Sequence, residues 1–293
     1  MKGTTSLHVV VICSLAACGA PHRGDDGTTP GDGDTMTPDG NNNNTDNCSD
    51  NAKLVYVVDE NYTLSQFDPV AKTFHDLGPL SCPASGGATP FSMGVDRNAV
   101  AWVLYSSGEL FRVDTTTLNC TKSQWASQNG LVQFGMGFST DIAGGTTDTL
   151  FICGGPTGGP MTSSTSKLAT MNVGTFTSQP LGTMTGWPEL TGTGNAELWG
   201  FFPDANAPRV DRIDKANGSA TQSFPLPQLA GDPSAWAFAF FGGDFYLFLM
   251  KDFELSTTVY QLDGTNGQIK GQMAAGGRTI VGAGVSTCAP VIL

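Results

Sequence analysis

The chain has 293 residues, of which 26 are acidic and 14 basic, so its formal net charge at pH 7 is -12. This acidic balance argues against nucleic acid or an anionic lipid surface as a binding partner, because both carry negative charge themselves. Once an N-terminal signal and tether are set aside, about 240 residues are left, which is enough for one sizeable core.

The first 17 residues predict a cleaved secretory signal. An apolar run from Leu7 to Ala17 follows Lys2, and it is too short to persist as a membrane-spanning helix. At its end, residues 15–18 read LAAC, and a soft polar sequence follows. This junction resembles the lipobox of bacterial lipoproteins, in which the peptidase cleaves before a cysteine that carries a diacylglyceryl group.

That resemblance covers only the N-terminal signal and implies that Cys18 is lipidated. The protein would then be anchored in the cell envelope to a bacterial membrane, on its periplasmic face or at the cell surface. The alternative is an ordinary secretory signal in which Cys18 is incidental.

Residues 18–50 predict a disordered tether. Between Gly24 and Ala52 there is no Lys or Arg, and seven Asp residues are scattered among Gly, Pro, Thr and Asn. A segment of this composition cannot bury enough apolar surface to offset the entropy lost on ordering.

Residues 51–293 repeat one pattern of short strands five times. In each copy a strand rich in β-branched and aromatic residues leads into a second strand that ends in Asp or Asn. These residues open turns, because their side chains accept hydrogen bonds from backbone amides further along the chain. The five turn residues are Asp68, Asp114, Asn172, Asp214 and Asp263.

A strand of small residues, often Gly-rich, precedes most copies, and a looser polar strand completes each one. Glycine suits strands that are crowded close to an axis. The five small-residue strands start at Phe91, Phe134, Pro188, Ala235 and Val281. Four short strands repeated at intervals of about 45 residues are typical of β-propeller blades.

The two ends of the repeat complement each other. The first copy has no small-residue strand before it, whereas the last such strand, from Val281, has no partners after it. If this strand joins the first three, the ring closes with five complete blades and no open edge. The pattern therefore resembles an all-β, five-bladed β-propeller closed by its N- and C-terminal strands; a six-bladed propeller or a pair of β-sandwiches is the alternative.

Five cysteines lie beyond Cys13 and Cys18, and a secreted protein favours disulfides. Cys48 precedes the first strand and Cys288 follows the last one, so ring closure predicts a disulfide between them. Cys82 with Cys120 is the expected second pair, which leaves Cys153 as a free thiol.

A ligand site is predicted at one mouth of the ring, called here the top face. It carries the connections between the second and third strands of each blade and the connections between blades. Trp187, Glu189 and Trp236 converge there on neighbouring blades, and flat indoles beside a water-exposed carboxylate suit a glycan or a protein ligand. The alternative is that both tryptophans only fill wedges between blades.

The resulting hypothesis is a membrane-anchored, extracytoplasmic binding module. Its rival is a propeller hydrolase or lactonase that uses top-face carboxylates and a divalent metal, although Glu189 is the only acid at its level and glycosidases need two. His75 is expected at the surface, and no P-loop, dinucleotide motif or GxSxG occurs, so no cofactor is predicted. The candidate metal ligands on the top face are Glu60, Glu109, Asp204 and Asp252.

Overall fold

A computed structural model describes residues 47–157 and 165–292. Within these residues the protein is all-β, with five four-stranded antiparallel sheets. The innermost strands of successive sheets are neighbours around a closed ring, so each sheet is one blade of a five-bladed β-propeller. The sequence prediction is confirmed, and the six-bladed and β-sandwich alternatives are excluded.

The blades follow the chain order, apart from the last strand. Blade 1 contains β1 to β3 and β20, blade 2 contains β4 to β7, blade 3 β8 to β11, blade 4 β12 to β15 and blade 5 β16 to β19. The first ten strands are β1 Val55–Asp59, β2 Thr63–Asp68, β3 Thr73–Pro79, β4 Pro90–Val95, β5 Val100–Tyr105, β6 Leu110–Asp114, β7 Cys120–Lys122, β8 Gln133–Thr140, β9 Asp148–Gly155 and β10 Thr165–Asn172. The other ten are β11 Thr177–Thr185, β12 Glu189–Gly192, β13 Leu198–Phe202, β14 Arg209–Ile213, β15 Ala220–Pro225, β16 Pro233–Phe241, β17 Asp244–Lys251, β18 Thr258–Asp263, β19 Ile269–Ala274 and β20 Ile280–Val285.

Burial explains the composition of the strands. Every residue of β1, β5 and β13, the second strands of blades 1, 2 and 4, is buried, which is why these segments are so rich in Val, Phe and Trp. The outermost strands β3 and β15 expose most of their side chains and are correspondingly polar. The core consists of the apolar layers between neighbouring blades, such as the one that joins blades 4 and 5.

The Asp and Asn residues act as the sequence predicted. Asp68 Oδ1 accepts hydrogen bonds of 2.8 Å from the amides of Val70 and Ala71. Asp114, Asn172 and Asp263 each accept an equivalent pair of bonds, and Asp214 accepts one, from the amide of Ala216. These turns lie on the bottom face, opposite the predicted ligand site.

Glycines let the inner strands approach one another. A Cβ atom on Gly135 of β8 would lie 2.2 Å from the carbonyl oxygen of Pro188, and one on Gly137 would lie 2.7 Å from that of Leu190. Both distances are far below van der Waals contact. The spacing between the inner strands of blades 3 and 4 therefore requires glycine at these positions.

The ring is closed by the two ends of the folded region. Strand β20 pairs antiparallel with β1, with Val285 opposite Val55, and completes blade 1. A disulfide between Cys48 and Cys288 joins the segment before β1 to the segment after β20, with the two Cα atoms 5.9 Å apart. Both features match the predicted closure.

The second disulfide joins Cys82 to Cys120, the other predicted pair. Among the described residues Cys153 is the free cysteine and is fully buried in β9. Its sulfur lies 3.1 Å from Ser166 Oγ, and burial raises the pKa of the thiol to about 12. Cys153 is therefore unreactive in the folded state.

Candidate functional site

A cavity of about 190 Å³ opens at the mouth of the ring on the top face. All five blades contribute to its wall, so it lies where the blades meet around the axis. Strand β20 supplies Val281, β4 supplies Phe91 and β8 supplies Gly135. Blades 4 and 5 supply the three residues that the sequence predicted to come together, Trp187, Glu189 and Trp236.

Glu189 is buried, which corrects the expectation that it faces water. It begins β12 and only 4% of its surface is exposed. Ser92 of blade 2 donates a hydrogen bond of 2.8 Å from Oγ to Glu189 Oε2, and the backbone amide of Met136 in β8 donates a second bond to the carboxyl group. Donors from blades 2 and 3 thus hold the carboxyl of blade 4.

Burial has a direct electrostatic consequence. Removal from water raises the pKa of the Glu189 carboxyl well above its usual value of 4.5, although the bonds from Ser92 and Met136 oppose the rise. Without a charged partner, the protonated form of Glu189 is thus favoured over a wider pH range than that of an exposed glutamate. Carboxyl groups with such shifts are concentrated at functional sites.

Trp187 both fills space between blades and lines the cavity. It is 6% exposed, and its indole packs against Gly155, where a Cβ atom would lie 2.8 Å from Cζ2. Within the described part of the chain, the indole nitrogen has no hydrogen-bond partner.

Trp236 is half-buried in β16 and packs against the apolar layer that contains Phe201 and Phe238. Phe91 of blade 2 is a third aromatic residue in the cavity wall. Both tryptophans therefore fill space between neighbouring blades, as the alternative predicted. Together with Phe91 they also form the aromatic part of the cavity wall. Their role in ligand binding stays a prediction.

The other acidic residues of the top face have diverse surroundings. Glu60, in the connection between β1 and β2, is exposed and lines the same cavity as Glu189. Glu109 forms an ion pair with Lys122 and accepts bonds from Ser85 and Ser107, which lower the pKa of its carboxyl to about 2.

A metal site is not assembled within residues 47–157 and 165–292, where no group of three or more His, Cys, Asp and Glu side chains is placed to hold an ion. His75 is exposed on β3, at the outer edge of blade 1. Sequence reasoning named Glu60 as a candidate metal ligand and missed that it shares the cavity with Glu189.

Replacement of Glu189 by Gln should stabilise the protein increasingly as pH rises. The folded-state pKa of Glu189 lies above its unfolded value, so its contribution to stability is fully present below about pH 4.5 and is lost as pH rises through the folded-state pKa. Gln stays neutral throughout. Thermal unfolding of both proteins between about pH 4 and pH 8 should therefore show a melting-temperature difference that grows with pH in favour of the variant.

The matched control is Asp252→Asn, since Asp252 is an exposed top-face carboxylate outside the cavity wall. This change should alter the melting curves little at any pH. If the melting temperatures of the wild type and Glu189→Gln changed in parallel with pH, ionisation of the buried carboxyl would not destabilise the folded state.

No protein-family model and no curated protein matches this sequence. Solved structures do match at low similarity. A luciferin-regenerating enzyme is 13% identical with a TM-score of 0.43, and the match covers 78% of this chain and 92% of that one. Hydrazine synthase from Kuenenia stuttgartiensis is 13% identical with a TM-score of 0.41. The match covers 63% of this chain and 49% of that one, so this chain spans about half the length of the hydrazine synthase chain.

A chain of the mitotic checkpoint complex is 12% identical with a TM-score of 0.41, over 78% of this chain and 62% of that one. Similarities this low carry no inference about activity.

Proposed function

We propose that the protein is a lipid-anchored, extracytoplasmic binding module whose ligand, a glycan or a protein segment, enters the top-face cavity. The observation that carries this proposal is the cavity itself, in which two tryptophans and a buried carboxyl from neighbouring blades line one concave wall. Concave, largely apolar walls with a few convergent polar groups are the usual form of ligand sites. A closed ring of blades supplies the rigid scaffold on which such sites are commonly built.

The proposed compartment and the proposed membrane anchor are supported by observations that do not involve the cavity. The two disulfides are consistent with an extracytoplasmic location. Among the described residues, no helix is long and apolar enough to cross a membrane. The proposed anchor, Cys18, lies outside the described residues and is inferred from the LAAC sequence alone.

The anchor can be tested by mass. Protein extracted from membranes with detergent should begin at Cys18 and carry added acyl mass, and Cys18→Ala should block processing or release the protein from the membrane. A mature N-terminus elsewhere, or an unmodified Cys18, would refute lipidation and leave the binding proposal intact.

The hydrolase alternative has one observation in its favour, which is that Glu60 and Glu189 line the same cavity. Against it, two hydrogen bonds from neighbouring blades already hold the carboxyl of Glu189 in place. Binding without turnover is therefore the better-supported function.

Filling the cavity should abolish binding. Ser234 is an exposed residue of the cavity wall, so Ser234→Trp should occupy the mouth without disturbing the core. On glycan and peptide arrays the wild type should bind a defined subset of compounds and Ser234→Trp should lose it. Ser107→Trp, at an exposed serine of the same face outside the cavity, is the control and should bind normally.

Two outcomes would contradict the proposal. Array binding that survives Ser234→Trp would place the ligand elsewhere on the protein. Release of hydrolysed product from an array compound would favour the enzyme.

A further inference from the structure

We propose that the top-face cavity binds a small organic cation, whose ammonium group lies between the Glu189 carboxylate and the aromatic rings of Trp187 and Trp236. This inference rests on the proposed function, since it concerns the same cavity and requires that the ligand, or the part of a larger ligand that enters the cavity, carries an ammonium group. Charge, aromatic surface, size and the burial of Glu189 support it.

The ionisable side chains that line the cavity are acidic, and no described basic side chain is paired with them. Among the described residues that line it, the ionisable ones are Glu60 and Glu189, and none is Lys, Arg or His. Neither glutamate forms an ion pair with another described residue. An anionic ligand would be repelled here, whereas a cation would be attracted both by the cavity and by a chain of net charge -12.

The aromatic residues suit a cation as well. Phe91, Trp187 and Trp236 line the cavity, and the face of an aromatic ring attracts an ammonium group, most strongly when the ring is tryptophan. Elsewhere in the described chain, basic side chains cover the rings of Phe74, Phe151 and Phe202. Within residues 47–157 and 165–292, no such contact covers an aromatic ring of the cavity.

The size of the cavity limits the ligand. Its volume of about 190 Å³ is below the range of about 300 to 1,000 Å³ typical of sites for drug-sized molecules. One small molecule, or the ammonium end of a larger one, would fill it.

The buried carboxyl discriminates between a cation and a neutral sugar. The two donors that Glu189 has, Ser92 Oγ and the Met136 amide, are neutral, so its charged form lacks a counter-charge. An ammonium group would supply that charge, whereas a hydroxyl group would not. The other ionisable groups close to Glu189 are Cys153, on β9, and Glu60, across the cavity.

A cation therefore favours the ionised form of Glu189. Since burial raises the pKa of this carboxyl and a cation would lower it again, cation binding should release a proton. The affinity for a cation should then rise with pH until Glu189 is ionised without the ligand.

The experiment compares charged and neutral probes of the same shape. Isothermal titration of the mature protein with choline, ethanolamine and 3,3-dimethylbutan-1-ol should show binding of at least one cation with a dissociation constant of about 1 mM or tighter. The alcohol, which has the shape of choline without its charge, should bind at least about tenfold more weakly.

Variants locate the contact. Glu189→Gln should weaken cation binding by about tenfold to hundredfold, as expected when a charged partner is lost. Phe91→Leu, a change at the half-buried edge of the cavity, should weaken it by a smaller factor and gives a second test if Glu189→Gln does not fold. Asp252→Asn should leave the affinity unchanged.

The outcomes separate this inference from the proposed function. The cation assignment is overturned if neither cation binds to the wild type. It is also overturned if the wild type binds the alcohol as tightly as it binds a cation, or if Glu189→Gln binds the cation as tightly as the wild type does. If array binding is nevertheless lost in Ser234→Trp, the cavity is still a ligand site for a neutral compound. Cation binding that Ser234→Trp leaves intact would overturn the assignment, because the cation would then occupy another place.

Discussion

Replacement of both Cys48 and Cys288 by Ser should lower the free energy of unfolding by about 4 to 5 kcal/mol. The disulfide joins residues 240 positions apart and therefore removes a large loop entropy from the unfolded chain. It also holds the pairing of β1 with β20, the one place where strands from opposite ends of the propeller meet in a blade. Chemical denaturation followed by tryptophan fluorescence measures the loss.

The matched control is Cys82→Ser with Cys120→Ser. This disulfide spans 38 positions and joins the connection between blades 1 and 2 to β7 of blade 2. Its removal should therefore cost about 1.5 kcal/mol less than opening the ring. If the two double variants lost equal stability, or if opening the ring cost less, the closure disulfide would not be the main covalent stabiliser of the propeller.

Replacement of Arg97 by Met should lower the free energy of unfolding by about 3 to 5 kcal/mol, the range found when one partner of a buried ion pair is removed. The side chains of Arg97 and Asp148 are 11% and 6% exposed, with Nε 3.0 Å from Oδ2. Arg97 lies in the turn between β4 and β5 and also donates a bond of 2.8 Å to the carbonyl oxygen of Gly145 in blade 3. Its loss would leave the charge of Asp148 buried beside a single donor, the hydroxyl of Thr287.

Arg212→Met is the control for this prediction. Arg212 pairs with Glu197 at 2.9 Å, but its side chain is 44% exposed, so the loss should be about 1 kcal/mol or less. Urea denaturation of the two variants should therefore differ clearly. Similar losses would show that the Arg97 pair is not a structural link between blades.

Much of the fold was predictable because the repeat is encoded locally. Each blade contains a run such as residues 100–105, whose apolar residues are all buried, and a turn opened by a residue such as Asp114. These signals depend only on neighbouring residues. Closure was predictable because β20 was left without partners in its own copy, and only β1 offered an unpaired edge.

The candidate site was predictable only in part. Ser92 and Glu189 are each the second residue of their small-residue strands, which start at Phe91 and Pro188. This shared position is the available sequence signal for the bond between them. It does not show that the carboxyl is buried, since this depends on how closely β8 and β12 approach each other. The position of Glu60 depends on the path of a loop, which the strand repeat does not determine.

The ion pair between Arg97 and Asp148 also escaped sequence reasoning. The two residues lie on different blades and 51 positions apart, and neither belongs to the repeated turn motif. The contribution of this ion pair to stability depends on the burial of both side chains, which no local sequence pattern indicates.

A crystal structure of the mature protein bound to the tightest ligand among the glycans, peptides and cations tested would examine the central proposal most directly. We predict ligand density in the top-face cavity, in contact with Trp187 and Trp236 and with a polar ligand atom within hydrogen-bond distance of Glu189. Density at the bottom face or along the outer strands, with the cavity unchanged from the free protein, would contradict the assignment of the binding site.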